Sequence, residues 1–325
     1  MSTTLFFLVP IGLAAVVWSL CFVGVCFPTQ GLASPYSDTI IAEASQNGLV
    51  AYWALSDLIG PPLNMPAQTS GATDLSGNHH DGTYIIPPPY PTMPANSTPI
   101  ANPSVGRGAS IVPGDAGSTK NPFPASADFE GGYVSIPWST QNSPQLPDLT
   151  VEAWIKPNWT AATTGFLWGV FGAISSTGGI AVFIDENNQW RITIGNGTTL
   201  VELPSTGVPL DLSSGNPTYV AVTCDKTGTI NLWINPQSMG DTPNPPPPSP
   251  AWTLQNSGYV PVDPTQPVTF FIGAGDSNDA QTLRTQPMGT GAPLYPFKGQ
   301  IQSVALYSSV LGPTDVQNHF INGMD

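Results

Sequence analysis

The chain has little charge. Asp, Glu, Lys and Arg together make up 9 % of its 325 residues. Only seven residues are Lys or Arg, none of them before Arg107, and the formal net charge is −14. A surface so poor in cations argues against nucleic acid and against anionic membrane surfaces, since both need basic patches. Cysteine is scarce as well. Cys21 and Cys26 lie in the apolar N-terminal run and Cys224 stands alone in "YVAVTCD", so the body has no disulfide framework and Cys224 reads as a small core residue. There are three histidines, and two of them are adjacent in "DLSGNHHDGTY", residues 74–84. A transition-metal site needs further ligands, and the remaining histidine, His319, is far along the chain. A Gly-x-Ser-x-Gly elbow and a Walker-type phosphate loop are both absent.

Proline (37 residues), glycine (33) and aromatics (10 %) are plentiful. That balance predicts many short strands joined by turns around a real core, not helices built on Lys and Glu. Apolar runs predict strands at 49–55, 133–137, 149–157, 165–174, 179–185, 190–195, 218–225, 229–235, 268–275 and 299–309. "DENNQ" (185–189) and "DKTG" (225–228) are hairpin-length connections, which makes the sheets antiparallel and the fold an all-β sandwich or barrel. In "TINLWIN", Ile230, Leu232 and Ile234 alternate with Asn231 and Trp233, so Trp233 faces away from the core. In 149–157, Glu152, Trp154 and Lys156 share the non-core face, and a Trp on such a face can line a groove. Pro-rich stretches at 86–105, 236–250 and 286–296 predict stiff surface loops. "GPTDVQNHF" predicts a short terminal helix opened by Pro313 and Asp315, with Val316 and Phe320 on one face.

Residues 5–27, "LFFLVPIGLAAVVWSLCFVGVCF", carry no charge and are long enough to cross a bilayer as a helix. Three readings stand for 1–33: a retained membrane anchor, a signal cleaved after Ala33, or a helix buried in an assembly. Residues 34–48 follow as a polar connector with a short helix at 37–44, and 49–325 form the body.

The body resembles the laminin-G-like, concanavalin A-like lectin/glucanase jelly roll of bacterial surface proteins. The runs that carry the resemblance are "LVAYWAL", "DLSGNHHDGTY", "ADFEGGYVSIP", "LTVEAWIKP", "YVAVTCDKTGTINLWIN", "FFIGAG" and "FKGQIQSVALYSSVLGPTDVQNHF", in the family's order over residues 49–323. The resemblance implies an antiparallel β-sandwich, here preceded by an apolar N-terminal helix. It implies that 74–84 is a turn after the first strand, shaped by Asp74 and Asn78, with Gly77 and Gly82 supplying permissive dihedrals and His79 and His80 at a solvated tip. It also implies a structural Ca²⁺, for which Asp74, Asn78 and Asp81 are the candidate ligands, although Gln302 and Ser303 stand where relatives carry acids. Trp53 and Trp154 match positions that the family packs.

The glucanases of the superfamily use Glu-x-Asp-x-x-Glu, and none of the five glutamates here (43, 130, 152, 186, 202) opens that motif. A binding module rather than an enzyme is therefore expected. A glycan stacks on an aromatic face, and Trp159, Trp252 and Trp233 are the candidates that packing least explains. The expected function is non-catalytic recognition of a glycan or a cell-surface protein. The expected location is the extracellular face, secreted or membrane-anchored through 5–27, with homo-oligomers compatible. The alternative is a structural subunit of a coat, filament or phage-tail-like appendage, with its apolar N-terminus docked in the assembly.

Overall fold

Short apolar runs form the strands of this chain, and a computed structural model shows how they pair. It describes residues 35–57, 71–86, 103–121, 125–138, 146–159, 167–236, 248–263, 268–275 and 296–325. The apolar run 5–27 and most of the Pro-rich stretches lie outside these residues. Among the described residues, no helix is long and apolar enough to cross a membrane.

Two short helices, α1 (Tyr36–Ala42) and α2 (Ala44–Asn47), precede the strands. The strands are β1 (Leu49–Trp53), β2 (Gly71–Ala72), β3 (Gly82–Ile85), β4 (Ser104–Ala109), β5 (Ala125–Glu130), β6 (Tyr133–Trp138), β7 (Leu149–Pro157) and β8 (Trp168–Ile174). They continue as β9 (Gly179–Ile184), β10 (Trp190–Gly195), β11 (Leu200–Glu202), β12 (Thr218–Cys224), β13 (Ile230–Ile234), β14 (Trp252–Leu254), β15 (Val268–Ile272) and β16 (Lys298–Tyr307). A 3-10 turn spans Pro113–Asp115, and helix α3 (Pro313–Met324) follows β16.

The strands form two antiparallel sheets. One runs β14-β13-β12-β7-β16-β5-β4, with β1 also paired to β16, and the other runs β11-β10-β9-β8-β15-β6-β3-β2. Strand β16 serves two neighbours on one edge. Residues 298–301 pair with β5 and 304–307 pair with β1. The handover falls at a register shift between Gln302 and Ala305, where Ser303 adopts φ 56°. A bulge with one residue in the left-handed region bends the strand there and lets it change partners.

The main core lies between the sheets and includes Val151, Ala153, Ile155, Val182, Ile192, Val220, Leu232 and Phe270. Cys224 belongs to it, fully buried, with burial and the nearby Asp225 and Asp148 carboxylates pushing its thiol far up. Trp53 is also fully buried in this core. A second apolar cluster covers the other face of the first sheet. There Tyr52, Trp154, Tyr219, Ala221 and Trp233 meet Tyr36 and Ile40 of α1 and Val316 and Phe320 of α3. Each such side chain contributes roughly 1.5–3 kcal/mol on burial.

This second cluster corrects three expectations. Residues 35–48 are no free connector, because Tyr36, Ser37 and Ile40 are 0 % exposed. Trp154 lines no groove, because Phe320 stacks on it at 5.8 Å and Tyr36 meets it edge-on at 6.2 Å. Trp233 faces away from the main core as the alternation predicts, yet it is 3 % exposed, since the helices convert that face into a second interior. Alternation identifies which side a residue takes, and not whether something covers that side.

Candidate functional site

The turn that joins β2 to β3, bridged to β1 at Trp53 and Asp74, is built by its own side chains. Asp74 Oδ1 accepts the backbone N–H groups of Tyr52 (2.9 Å) and Ser76 (2.9 Å), and Oδ2 accepts that of His80 (2.9 Å). Asp81 Oδ1 accepts the N–H of Asp74 at 2.8 Å. Asn78 donates its amide to the carbonyls of Leu49 (3.1 Å) and Val50 (2.9 Å). Asp74 and Asn78 therefore set turn geometry, as the family resemblance implies.

The three candidate calcium ligands all hold hydrogen bonds within this turn. Both oxygens of the Asp74 carboxylate are taken by amides, and the amide nitrogen of Asn78 faces the chain. Among the described residues, no group of three or more His, Cys, Asp or Glu converges as metal ligands. Gly77, at φ 87°, needs the left-handed region, whereas Gly82 is required for space. A Cβ on Gly82 would come within 2.7 Å of Val134 and 2.8 Å of Ile136. His79 is exposed at φ 63°, but His80 does not sit at a solvated tip. It is 7 % exposed, stacks on Trp138 at 5.1 Å, and its carbonyl accepts the Trp53 indole N–H at 2.8 Å.

The three candidate tryptophans do not form one surface. Trp233 is sealed under the helices. Trp252, on the edge strand β14, lies opposite Leu232, so it faces the main core and packs against it, partly exposed. Trp159 follows the end of β7 and is also partly exposed. Its indole stacks on Trp168 with ring centres 4.5 Å apart and planes 12° off parallel, and it meets Phe297 edge-on at 5.4 Å. Its Nε1–H donates to Asn188 Oδ1 at 2.9 Å.

Asn188 is held just as firmly in the β9–β10 hairpin. It takes φ 57°, a conformation that asparagine tolerates well. Its carbonyl accepts Leu210 N–H at 2.7 Å. Asp185 Oδ1 accepts the N–H groups of Asn187 (2.8 Å) and Gln189 (2.9 Å), and Oδ2 accepts Arg191 Nε–H at 2.7 Å. Trp159, Trp168, Asn188 and Phe297 thus form a fixed aromatic platform at one end of the sandwich, where strands of both sheets meet. Elsewhere, an apolar cleft of about 40 Å³ between Trp138, Leu149, Ile180, Tyr259 and Phe270 is too small for a sugar ring.

A charged cluster that sequence reasoning missed lies under α1 and α3. The Glu152 carboxylate, on the outer face of β7, is 0 % exposed. It accepts hydrogen bonds from the phenols of Tyr36 (2.9 Å), Tyr307 (3.1 Å) and Tyr219. His319 Nδ1 lies 3.0 Å from Glu152 Oε2, and His319 Nε2 lies 3.0 Å from Glu43 Oε2. Burial pushes His319 down, but Glu152 and Glu43 more than reverse this and hold it at about 10, so the ring is an imidazolium. Burial likewise pushes Glu152 up, and the His319 charge with the phenol hydrogen bonds brings it net below the usual value. One signal was legible. Val316, His319 and Phe320 stand at i, i+3 and i+4, which places His319 on the buried face of α3.

Residues 128–277 match the family model described as the concanavalin A-like lectin/glucanases superfamily, a laminin G type. No curated protein matches the chain. Among solved structures, domain 4 of AbnA, a GH43 extracellular arabinanase from Geobacillus stearothermophilus solved with arabinotriose, has 15 % identity and a TM-score of 0.51 over 84 % of this chain and 98 % of that one. Trypanosoma rangeli sialidase has 16 % identity and a TM-score of 0.43 over 84 % of this chain and 32 % of that one. A botulinum neurotoxin type C structure, concerned with two ganglioside molecules, has 11 % identity and a TM-score of 0.46 over 89 % and 53 %. Likeness at this identity speaks for the fold alone. The matched stretch is thus similar to the concanavalin A-like lectin/glucanase superfamily, and the strands on either side of it complete the same two sheets.

Proposed function

We propose that the chain is a non-catalytic recognition module that binds a glycan through the platform at Trp159. One observation carries this reading. Trp159 is fixed on three sides, by Trp168, Phe297 and Asn188, while it remains partly exposed. An aromatic face held rigid before binding loses little freedom when a pyranose or furanose ring stacks on it. Three of the carboxylates are committed elsewhere: Glu152 is sealed, Glu130 pairs with Lys298 at 2.8 Å, and Asp185 holds its hairpin and Arg191. This supports binding over hydrolysis, which needs a carboxylate pair free to face the sugar.

The first measurement is glycan-array binding by the full chain, in calcium and again in EDTA, with Trp159→Ala alongside. Arabino-oligosaccharides belong on the array, because the arabinanase domain of the same fold was solved with one. Selective binding that survives EDTA and weakens about tenfold in Trp159→Ala is the expected result. Binding lost in EDTA would return the 74–81 turn to consideration as a calcium site. No binding in either condition would remove the glycan reading. It would favour the structural alternative, for which the uncharged run 5–27 speaks.

A further inference from the structure

We infer that Glu152, His319 and Glu43 form an ionic latch that holds the N-terminal helices and the C-terminal helix on the first sheet as one unit, and that the latch opens on both the acid and the alkaline side.

The latch joins elements far apart in sequence. Glu152 comes from β7 and His319 from α3, and Glu43 sits between α1 and α2. The imidazolium bridges two carboxylates, one fully buried and one with its side chain 29 % exposed, at 3.0 Å from each. The phenols that face the pair come from α1 (Tyr36), β12 (Tyr219) and β16 (Tyr307). The Tyr307 ring also stacks on His319 at 6.0 Å. Farther out are Tyr52 of β1 and Asp115 of the 3-10 turn, whose Oδ1 accepts Ser37 N–H at 2.8 Å. Burial pushes all four phenols well up, so they remain donors across the range in which the latch opens and closes. Beyond the phenols, burial also pushes the Asp115 carboxyl up, and the ion pairs themselves are Glu152–His319 and His319–Glu43. Removing either charge strands the other in an apolar interior, which is what makes such a pair a two-state element.

The direction follows from each group. Glu152 titrates below its ordinary 4.5, so its contribution is complete above that value and is lost as the solution is acidified through the lowered one. His319 titrates at about 10 rather than 6.5, so its contribution is complete below 6.5 and fades as pH rises toward 10. The latch is therefore tightest between about pH 4.5 and 6.5.

The test is hydrogen exchange by mass spectrometry on the full chain at pH 6, with rates corrected for intrinsic exchange. His319→Gln should raise exchange in 36–47 and 313–324 together by about tenfold, while 179–184 and 190–195 in the other sheet stay protected. Glu43→Gln should act in the same direction by a smaller factor. Raising wild-type pH from 6 to 10 should reproduce the pattern. Unchanged helices, release of one helix alone, or equal exchange in both sheets would each overturn the latch. If His319→Gln does not fold, Glu43→Gln and the wild-type pH series decide on the same criteria.

Discussion

Trp154 and Trp159 lie five residues apart on the same strand and its extension, and they live in different worlds. Trp154 is fully buried between Phe320, Tyr219 and Tyr36. Trp159 is equally well ordered by ring contacts yet keeps part of its surface in solvent. Trp154 lies on the outer face of β7, whereas Trp159 packs against the edge of the main core. The difference comes from what arrives later in the chain. Helix α3 closes over the middle of β7, while at the strand's end the cover is a polar hairpin that supplies Asn188. Distant segments thus decide how much of each ring stays exposed: helix α3 seals Trp154, and the hairpin at Asn188 leaves Trp159 partly open.

The comparison is broken most severely at Glu152, which shares its face with Trp154. Glu152→Ala leaves an imidazolium and three phenols without their acceptor and should cost about 3–5 kcal/mol in urea unfolding. A loss below 1 kcal/mol would mean that solvent reaches this face. Gly323→Ala comes next. A Cβ there would come within 2.2 Å of the Trp154 ring, so overpacking should cost about 1–3 kcal/mol, seen as a lower Tm with glycan binding unchanged. Trp159→Ala should show the reverse profile. Its effect on a bound glycan is about tenfold, or ~1.4 kcal/mol, with a smaller change in stability than Glu152→Ala. The smallest effect is expected from Asn188→Gly, which keeps the left-handed backbone and removes the amide that orients Trp159. Binding by titration calorimetry should weaken by about twofold to fivefold, near the worth of one hydrogen bond. If Asn188→Gly matched Trp159→Ala, the hairpin itself would be touching the ligand.

Much of this could be read in the sequence. Strands β7, β10 and β12 begin where their apolar runs begin, because β-branched and aromatic residues leave little choice there. The terminal helix announced itself through Pro313 and Asp315, whose Oδ2 accepts the Gly312 N–H at 3.1 Å. Strands β4, "SVGRGA", and β5, "ASADFE", were not legible, since small and polar residues carry no alternating signal. Strand β5 is placed by pairing with β16, from Lys298 opposite Glu130 to Ile301 opposite Ala127, and β4 by pairing with β5. The platform was half legible. "KPNWT" marked Trp159 as unexplained by a core, but nothing local joins it to Asn188. The sequence places Glu152 on the non-core face but cannot name its partners, which come from four other segments: α1, β12, β16 and α3.

The side chain of Asn322, near the end of α3, donates to Thr39 Oγ1 of α1 at 3.2 Å. The two ends of the sandwich, residues 35 and 325, are therefore neighbours on one side of the molecule. A loop of a few residues should join them, so the fold should tolerate circular permutation with new ends cut at an exposed turn such as 211–216. It should equally tolerate insertion as a cassette into a loop of another protein, leaving the rim with Trp159 untouched.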